Sequence, residues 1–135
     1  MSLDKTSRAE SKKYSSNIKG RLSELRAETK LLELGYIVTN PTLHNEPFDL
    51  VIKDPDDESG KYYQVQVKTV RLVHSERHNG TWAVVDGNSN GRVYSLDEVQ
   101  KFVAVDGEDV YMFDNREINE YWVRPDEMSE KWTKL

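Results

Sequence analysis

Four side chains in the first half of the sequence belong to types that together perform metal-assisted hydrolysis: Glu24, Asp49, Gln66 and Lys68. Asp49 interrupts an apolar run, Phe48-Asp49-Leu50-Val51-Ile52. An ionised carboxylate inside such a strand needs a partner. Gln66 and Lys68 stand two apart in Lys61 to Thr69 (KYYQVQVKT), so a strand there turns both to one face. The intervening stretch Lys53 to Gly60 (KDPDDESG) is dense in turn residues, which makes the two runs arms of a hairpin. A carboxylate and an amide oxygen are ligands for a hard divalent cation, and a lysine beside them can stabilise charge. The competing reading is a purely structural salt bridge between Asp49 and Lys68.

These residues need elements to hold them. Ser15-Ser16-Asn17 is suited to cap a helix running from about Ile18 to Leu34, with Gly35 ending it. Leu22, Leu25, Thr29 and Leu32 recur at helical spacing and are the expected buried stripe, with Glu24 at its edge. Tyr36 to Thr39 reads as a short strand closed by Asn40-Pro41. In the central strand, Tyr62, Gln64, Gln66 and Lys68 face one way and Tyr63, Val65, Val67 and Thr69 the other. Arg71 to Gly80 reads as polar and loop-like, the tip of an extended hairpin whose next strand is Thr81 to Val85. Asp86 to Gly91 reads as a turn, and Leu96 to Gln100 as one helical turn capped by Ser95. Phe102 to Val105 and Val110 to Phe113 are strands joined at Asp106-Gly107, and Tyr121 to Arg124 is a last strand. One helix followed by strands predicts an α/β or α+β domain with a mixed central sheet flanked by helices.

The chain has 135 residues, which fits one domain with one sizeable core. The expected boundaries are a polar arm or weak first helix over 1–16, a domain over 17–125 and a charged tail over 126–135. Cysteine is absent, which excludes disulfides and thiolate metal sites and fits a reducing cytosol. No run is long and apolar enough to span a membrane and no signal-peptide core stands near the start, so a cytoplasmic protein without a membrane partner is expected. The net charge is −5, but it is unevenly spread. Asp4 to Lys30 holds eight basic against four acidic residues, and Val93 to Leu135 holds eleven acidic against five basic. A molecule with one basic side can still contact phosphates, although solvated charge alone also accounts for such a distribution.

Beyond the four residues, the pattern resembles the PD-(D/E)XK nuclease superfamily. Lys19-Gly20-Arg21-Leu22-Ser23-Glu24 is similar to the first-helix motif of archaeal Holliday-junction resolvases and related endonucleases. Leu34-Gly35-Tyr36-Ile37-Val38 resembles their approach to the first strand, and Tyr94 with Val99 to Val105 resembles a segment of one small-endonuclease branch. Gln66 stands where the family places an acidic residue, as in homing-type endonucleases that resemble QxK variants. The resemblance implies a restriction-endonuclease-like core and a Mg²⁺- or Mn²⁺-dependent endonuclease or resolvase acting on DNA. It implies Glu24, Asp49, Gln66 and Lys68 as catalytic residues. The metal ligands would be Asp49, Gln66, the Val67 carbonyl and Glu24, with less negative charge than usual. Lys19, Arg21, Gln64 and Arg71 are the DNA contacts it suggests. A homodimer or higher oligomer follows by analogy, because cutting both strands needs two sites, and the setting is a prokaryotic or phage-infected cytoplasm. A binding module that has lost catalysis is the alternative.

Other chemistry is less well supported by the sequence. His74 and His78 have a helical ligand spacing but sit in a polar, loop-like segment; neither they nor His44 gain a third ligand, so zinc is not expected. The acidic loop Asp54 to Glu58 lacks the spacing of a calcium loop. Trp82 and Trp122 are expected in the core or on a sheet face rather than as platforms for bases.

Overall fold

The first helix, α1, is longer than its sequence signals suggest, running over Arg8–Glu33. In this computed structural model residues 8–41 and 46–135 are described, with side chains from residue 15 onward. Ser15, Ser16 and Asn17 therefore lie inside the helix and do not cap it. The C-terminal end is as expected. Gly35 adopts φ +86°, and Gly35 N–H and Tyr36 N–H donate to the carbonyls of Leu32 and Leu31. Both bonds together form a Schellman motif, which only a residue free of Cβ strain closes cheaply.

The buried side of α1 differs from the expected stripe. Ser23, Ala27 and Leu31 are buried, whereas Leu22, Leu25 and Leu32 are 42–59% exposed. Small side chains at 23 and 27 let the helix lie close to the sheet, and the Ser23 hydroxyl reaches the Thr69 hydroxyl at 2.7 Å. Close approach decided the face, and the bulkier leucines were left outside.

Strands β1 (Ile37–Thr39), β2 (Leu50–Lys53), β3 (Tyr62–Thr69), β4 (Arg71–Ser75), β5 (Gly80–Asp86), β6 (Asn88–Ser89) and β7 (Arg92–Val93) follow. Then come β8 (Lys101–Asp106), β9 (Asp109–Asp114), β10 (Glu120–Val123), the short helix α2 (Met128–Lys131) and β11 (Thr133–Lys134). The central sheet has the order β1-β2-β3-β8-β9-β11. It is mixed: β3 pairs with β8 in parallel, and its other pairs are antiparallel. A second sheet, β10-β5-β4, and the small β6–β7 hairpin complete the fold.

Strand alternation builds one core on each face of the central sheet. Val103 and Val105 of β8 join Val65, Val67, Ala27 and Leu31 beneath α1. Phe102 and Ala104 of the same strand join Ala83, Val85 and Tyr121 beneath the second sheet. Segment 126–135 is not a charged tail. Trp132 is buried and stacks on Phe113 at 4.8 Å between ring centroids, Met128 is buried, and β11 pairs with β9. The 71–80 stretch is mostly regular rather than loop-like: β4, a 3₁₀ turn over Glu76–His78 and then β5. Residues 96–98 form a hydrogen-bonded turn rather than a helix, with Ser95 and Glu98 bonded to each other. No described helix is long and apolar enough to cross a membrane.

Candidate active site

Asp49 stands immediately before β2, opposite the middle of β3. Its N–H donates to the Val65 carbonyl at 2.8 Å, which fixes the start of the β2–β3 pairing. Its carboxylate Oδ2 accepts from the Val67 N–H at 3.0 Å and from Gln66 Nε2 at 2.9 Å. Gln66 Nε2 also donates to the Val67 carbonyl at 3.3 Å. One side-chain amide thus lies between an oxygen of the residue just before β2 and one on β3.

Burial pushes the Asp49 carboxyl up from 3.8 to about 6, and the negative charge of Glu24 pushes in the same direction. The Val67 N–H, more strongly, and then the charge of Lys68 act the other way. Glu24 and Lys68 are therefore both near enough to act on Asp49, with opposite sign. Neither touches it. Glu24 pairs with Arg21 at 3.0 Å on the helix surface. Lys68 Nζ donates to the Asn88 carbonyl at 3.1 Å and lies 5.2 Å from the centre of the Tyr94 ring, a cation–π contact. The expected alternative of a direct Asp49–Lys68 salt bridge is absent among the described residues.

Arg21, Glu24 and Asp49 line one cleft of about 440 Å³, together with Glu28, Glu46 and Phe48. Lys19 is exposed on the same helix. Two suggested DNA contacts are engaged elsewhere. Arg71 is held by Asp86 at 2.9 Å and Glu120 at 2.6 Å, and these partners, Asp86 first, raise its pKa further. Gln64 is tied to Gln100, whose side-chain oxygen accepts from the Gln64 N–H at 2.7 Å and whose amide donates to Gln64 Oε1 at 3.3 Å. His74 and His78 bond to Thr81 and Ser75, and His44 lies outside the described residues. Trp82 and Trp122 are half-buried and meet each other at 5.9 Å, with the Arg124 guanidinium 3.9 Å above Trp82.

A model of the PD-(D/E)XK endonuclease family matches residues 14–134, nearly the whole chain. The chain belongs to the PD-(D/E)XK endonuclease family. No curated protein sequence matches it. Among solved structures, the fold is similar to the bacterial homing endonuclease I-Ssp6803I, with a TM-score of 0.61 at 24% identity. The match covers 81% of this chain and 78% of that one, and the mixed sheet under a long helix is the shared restriction-endonuclease-like architecture.

The family implies a divalent cation, and the donor set here is suited to a hard one. Asp49, the Val67 carbonyl and the Gln66 amide oxygen would be its oxygen ligands, with Glu24 reaching it through water. The convergence of Asp49 Oδ2 and the Val67 carbonyl on one N–H₂ group is the observation that supports the fit. Among the described residues no three His, Cys, Asp or Glu side chains converge, so such a cation would be held by few charges.

Sequence reasoning missed the parts that hold Lys68. The Asn88 carbonyl belongs to a segment read only as a turn, and a backbone acceptor leaves no trace in residue type. Gly87, beside it, is read from sequence as a turn residue, and the structure gives it a tighter role. Any Cβ there would press into the Ile118 carbonyl and come within 2.8 Å of the Tyr121 ring, so glycine is required by close approach.

Proposed function

We propose that this chain is a metal-dependent DNA endonuclease, hydrolysing phosphodiester bonds at the site formed by Asp49, Gln66, Val67 and Lys68. The observation that carries this reading is the hydrogen-bonded union of Asp49 with Gln66 and Val67 in a chain of this family. Mg²⁺ or Mn²⁺ bound there would supply Lewis acidity toward a phosphate oxygen and a more acidic water.

The protein groups have separate tasks. Asp49, Gln66 and the Val67 carbonyl would hold the cation. Glu24, which lines the cleft, would order water beside it. Lys68, held by the Asn88 carbonyl and the Tyr94 ring, would stabilise the negative charge on the phosphoryl oxygens as water attacks phosphorus. Lys19 and Arg21 hold the strand by its phosphates without reading sequence. Arg71 and Gln64 serve this purpose less directly, because each is already bonded within the protein. The working environment is a prokaryotic or phage-infected cytoplasm.

The test is incubation of the purified chain with Mg²⁺ or Mn²⁺ and duplex, branched and single-stranded DNA. Cleavage should appear with metal, stop with chelator, and fall at least about 100-fold in Asp49→Ala and in Lys68→Ala. No cleavage of any substrate, or cleavage untouched by both substitutions, would refute the reading.

One observation favours a second reading, a nucleic-acid-binding module without catalysis. The Gln66 amide satisfies both Asp49 and the Val67 carbonyl, so the site is complete without a cation. Calorimetry with Mn²⁺ separates the two. Heat of binding that vanishes in Asp49→Ala supports the nuclease, and DNA binding indifferent to both metal and Asp49 supports the module.

A further inference from the structure

The strand that carries Gln66 and Lys68 runs on past the site. Only Val70 separates β3 from β4, and the Val70 N–H still donates to the Val105 carbonyl, so the chain leaves the central sheet and becomes the edge of the second. β5 returns antiparallel to β4. Just beyond its end stands Asn88, whose carbonyl accepts from Lys68 Nζ at 3.1 Å. Both strands of the β4–β5 ribbon are thus rooted at the candidate site. The ribbon also reaches past the core. Ala83 and Val85 pack beneath it with Phe102 and Ala104. Register continues that face through Leu72, opposite Ala83, and through His74, opposite Thr81. There the face is open: Leu72 is 66% exposed, and His74 and Thr81 are exposed. Gln66 and Lys68 pair with Phe102 and Ala104, so this face and the site share one side of the central sheet.

We propose that the β4–β5 ribbon lies in the major groove of duplex DNA beside the cut phosphate, with His74 and Arg77 reading base edges, an inference that rests on the nuclease reading for its ligand. The tip is braced although none of its 3₁₀ turn is buried. Arg124 donates to the carbonyls of Asn79 at 3.0 Å and Thr81 at 3.3 Å, and Trp82 Nε1 donates to the His78 carbonyl at 2.8 Å. Ser75 Oγ accepts from the His78 N–H at 3.3 Å. A shape fixed in advance lowers the ordering cost of binding. The major groove admits a two-stranded ribbon, and a guanidinium there meets guanine O6 and N7 with two hydrogen bonds. Arg77 is exposed and makes no ion pair or hydrogen bond among the described residues. His74 bonds Thr81 through one ring nitrogen at 3.3 Å and keeps the other for a base. Leu72, on the same face, offers an apolar contact to a thymine methyl. Charge agrees: Glu76 is the one acid among residues 71–80, and Arg71 is already neutralised at the root by Asp86 and Glu120, which leaves the unpaired positive charge at the tip. From Lys68 to Arg77 the chain spans at most about 30 Å, so the bases read lie within about ten base pairs of the cut.

The experiment selects bound molecules from a randomised duplex library with the full chain and chelator present, so that binding is read without cleavage. The wild type should enrich a base preference, and methylation of guanine N7, which faces the major groove, should block binding at the preferred positions. Arg77→Ala and His74→Ala should each relax the preference at one or two positions and weaken binding of the enriched duplex at least about fivefold, with an unchanged circular dichroism spectrum. Arg124→Gln should speed hydrogen exchange at residues 76–80 and blunt the preference while leaving non-specific binding in place. A wild type that enriches no sequence, or a preference unaltered by both ribbon substitutions, overturns the proposal. The two readings fail separately. Cleavage whose cut sites are the same in wild type and ribbon variants removes the ribbon and spares the nuclease. Ribbon-dependent selection by a chain that cuts no DNA with either Mg²⁺ or Mn²⁺ removes the nuclease and spares the ribbon.

Discussion

Replacing Asp49 by asparagine should make the metal-free protein more stable at pH 8, although it removes a central site residue. Burial lifts this carboxyl from 3.8 to about 6, with Glu24 adding to the effect. A group whose folded pKa is raised favours the unfolded state once it ionises. The penalty is full above about pH 6, shrinks as the pH falls, and is nearly gone by about pH 4. Roughly two pKa units at about 1.4 kcal/mol each set a ceiling near 3 kcal/mol. Solvent in the cleft screens the charge, which leaves on the order of 1–2 kcal/mol.

The introduced asparagine keeps an oxygen that can accept from the Val67 N–H and the Gln66 amide, so the hydrogen bonds survive and only the charge is lost. For a domain of this size the gain corresponds to roughly 4–8 °C in Tm. Thermal melts of wild type and Asp49→Asn in chelator at pH 8 and pH 4 read this directly. The stabilisation should be present at pH 8 and largely absent at pH 4. Millimolar Mg²⁺ should then raise the Tm of the wild type and leave the variant unmoved, because binding to the folded state alone is stabilising. A variant no more stable than wild type at pH 8, or one whose gain is the same at both pH values, would show that burial does not burden this carboxylate.

Gln66→Glu should act in opposite senses with and without metal. In chelator the Nε2–H bond to Asp49 is replaced by a second carboxylate, and stability should fall by about 1–3 kcal/mol at pH 8. With Mn²⁺, calorimetry should show at least about tenfold tighter binding, because a full charge replaces a dipole. Equal melting in chelator together with equal Mn²⁺ affinity would count against the ligand assignment. Gly87→Ala should cost about 1–3 kcal/mol by forcing apart Gly87 and the Ile118 carbonyl. It should also loosen Asn88 and with it Lys68, so cleavage should fall further than the loss of folded protein accounts for. Activity that merely tracks the folded fraction would separate Gly87 from the site.

The hairpin bearing the site was legible because its signals are local. Period-two alternation set Gln66 and Lys68 on one face, and Val65 and Val67 are buried beneath the helix as their positions require. Gly35 ended α1 by a rule of backbone conformation that neighbours seldom override. The buried face of α1 was not legible. Both stripes have helical spacing, and the deciding term, close approach over Ser23 and Ala27, depends on a sheet assembled from distant residues. The same holds for the Trp132 segment. Four helical residues show no period, and the ring's partner, Phe113, lies on a strand that sequence alone does not bring near. Within the site, Asp49 with Gln66 was readable from types and spacing. The Asn88 carbonyl that holds Lys68 was not, since main-chain acceptors are common to every residue.

The glutamine at 66 is best understood from both states of the site. A carboxylate there would face Asp49 across a hydrogen-bond distance with no cation between them, and one of the two would have to take a proton. The amide removes that conflict. Its N–H₂ group satisfies Asp49 Oδ2 and the Val67 carbonyl, both of them acceptors, and this fixes which end of the amide points inward. Turning the terminal amide, whose torsion is broad and two-fold, exchanges that donor for an oxygen. A bound cation would then have to replace two hydrogen bonds of about 1 kcal/mol each. It would do so with one less charge than a carboxylate brings. On the proposed reading, the amide would therefore lower cation affinity while stabilising the cation-free fold. Burial holds the Asp49 carboxyl up near 6, so on that reading cation binding should weaken as the pH falls through about 6.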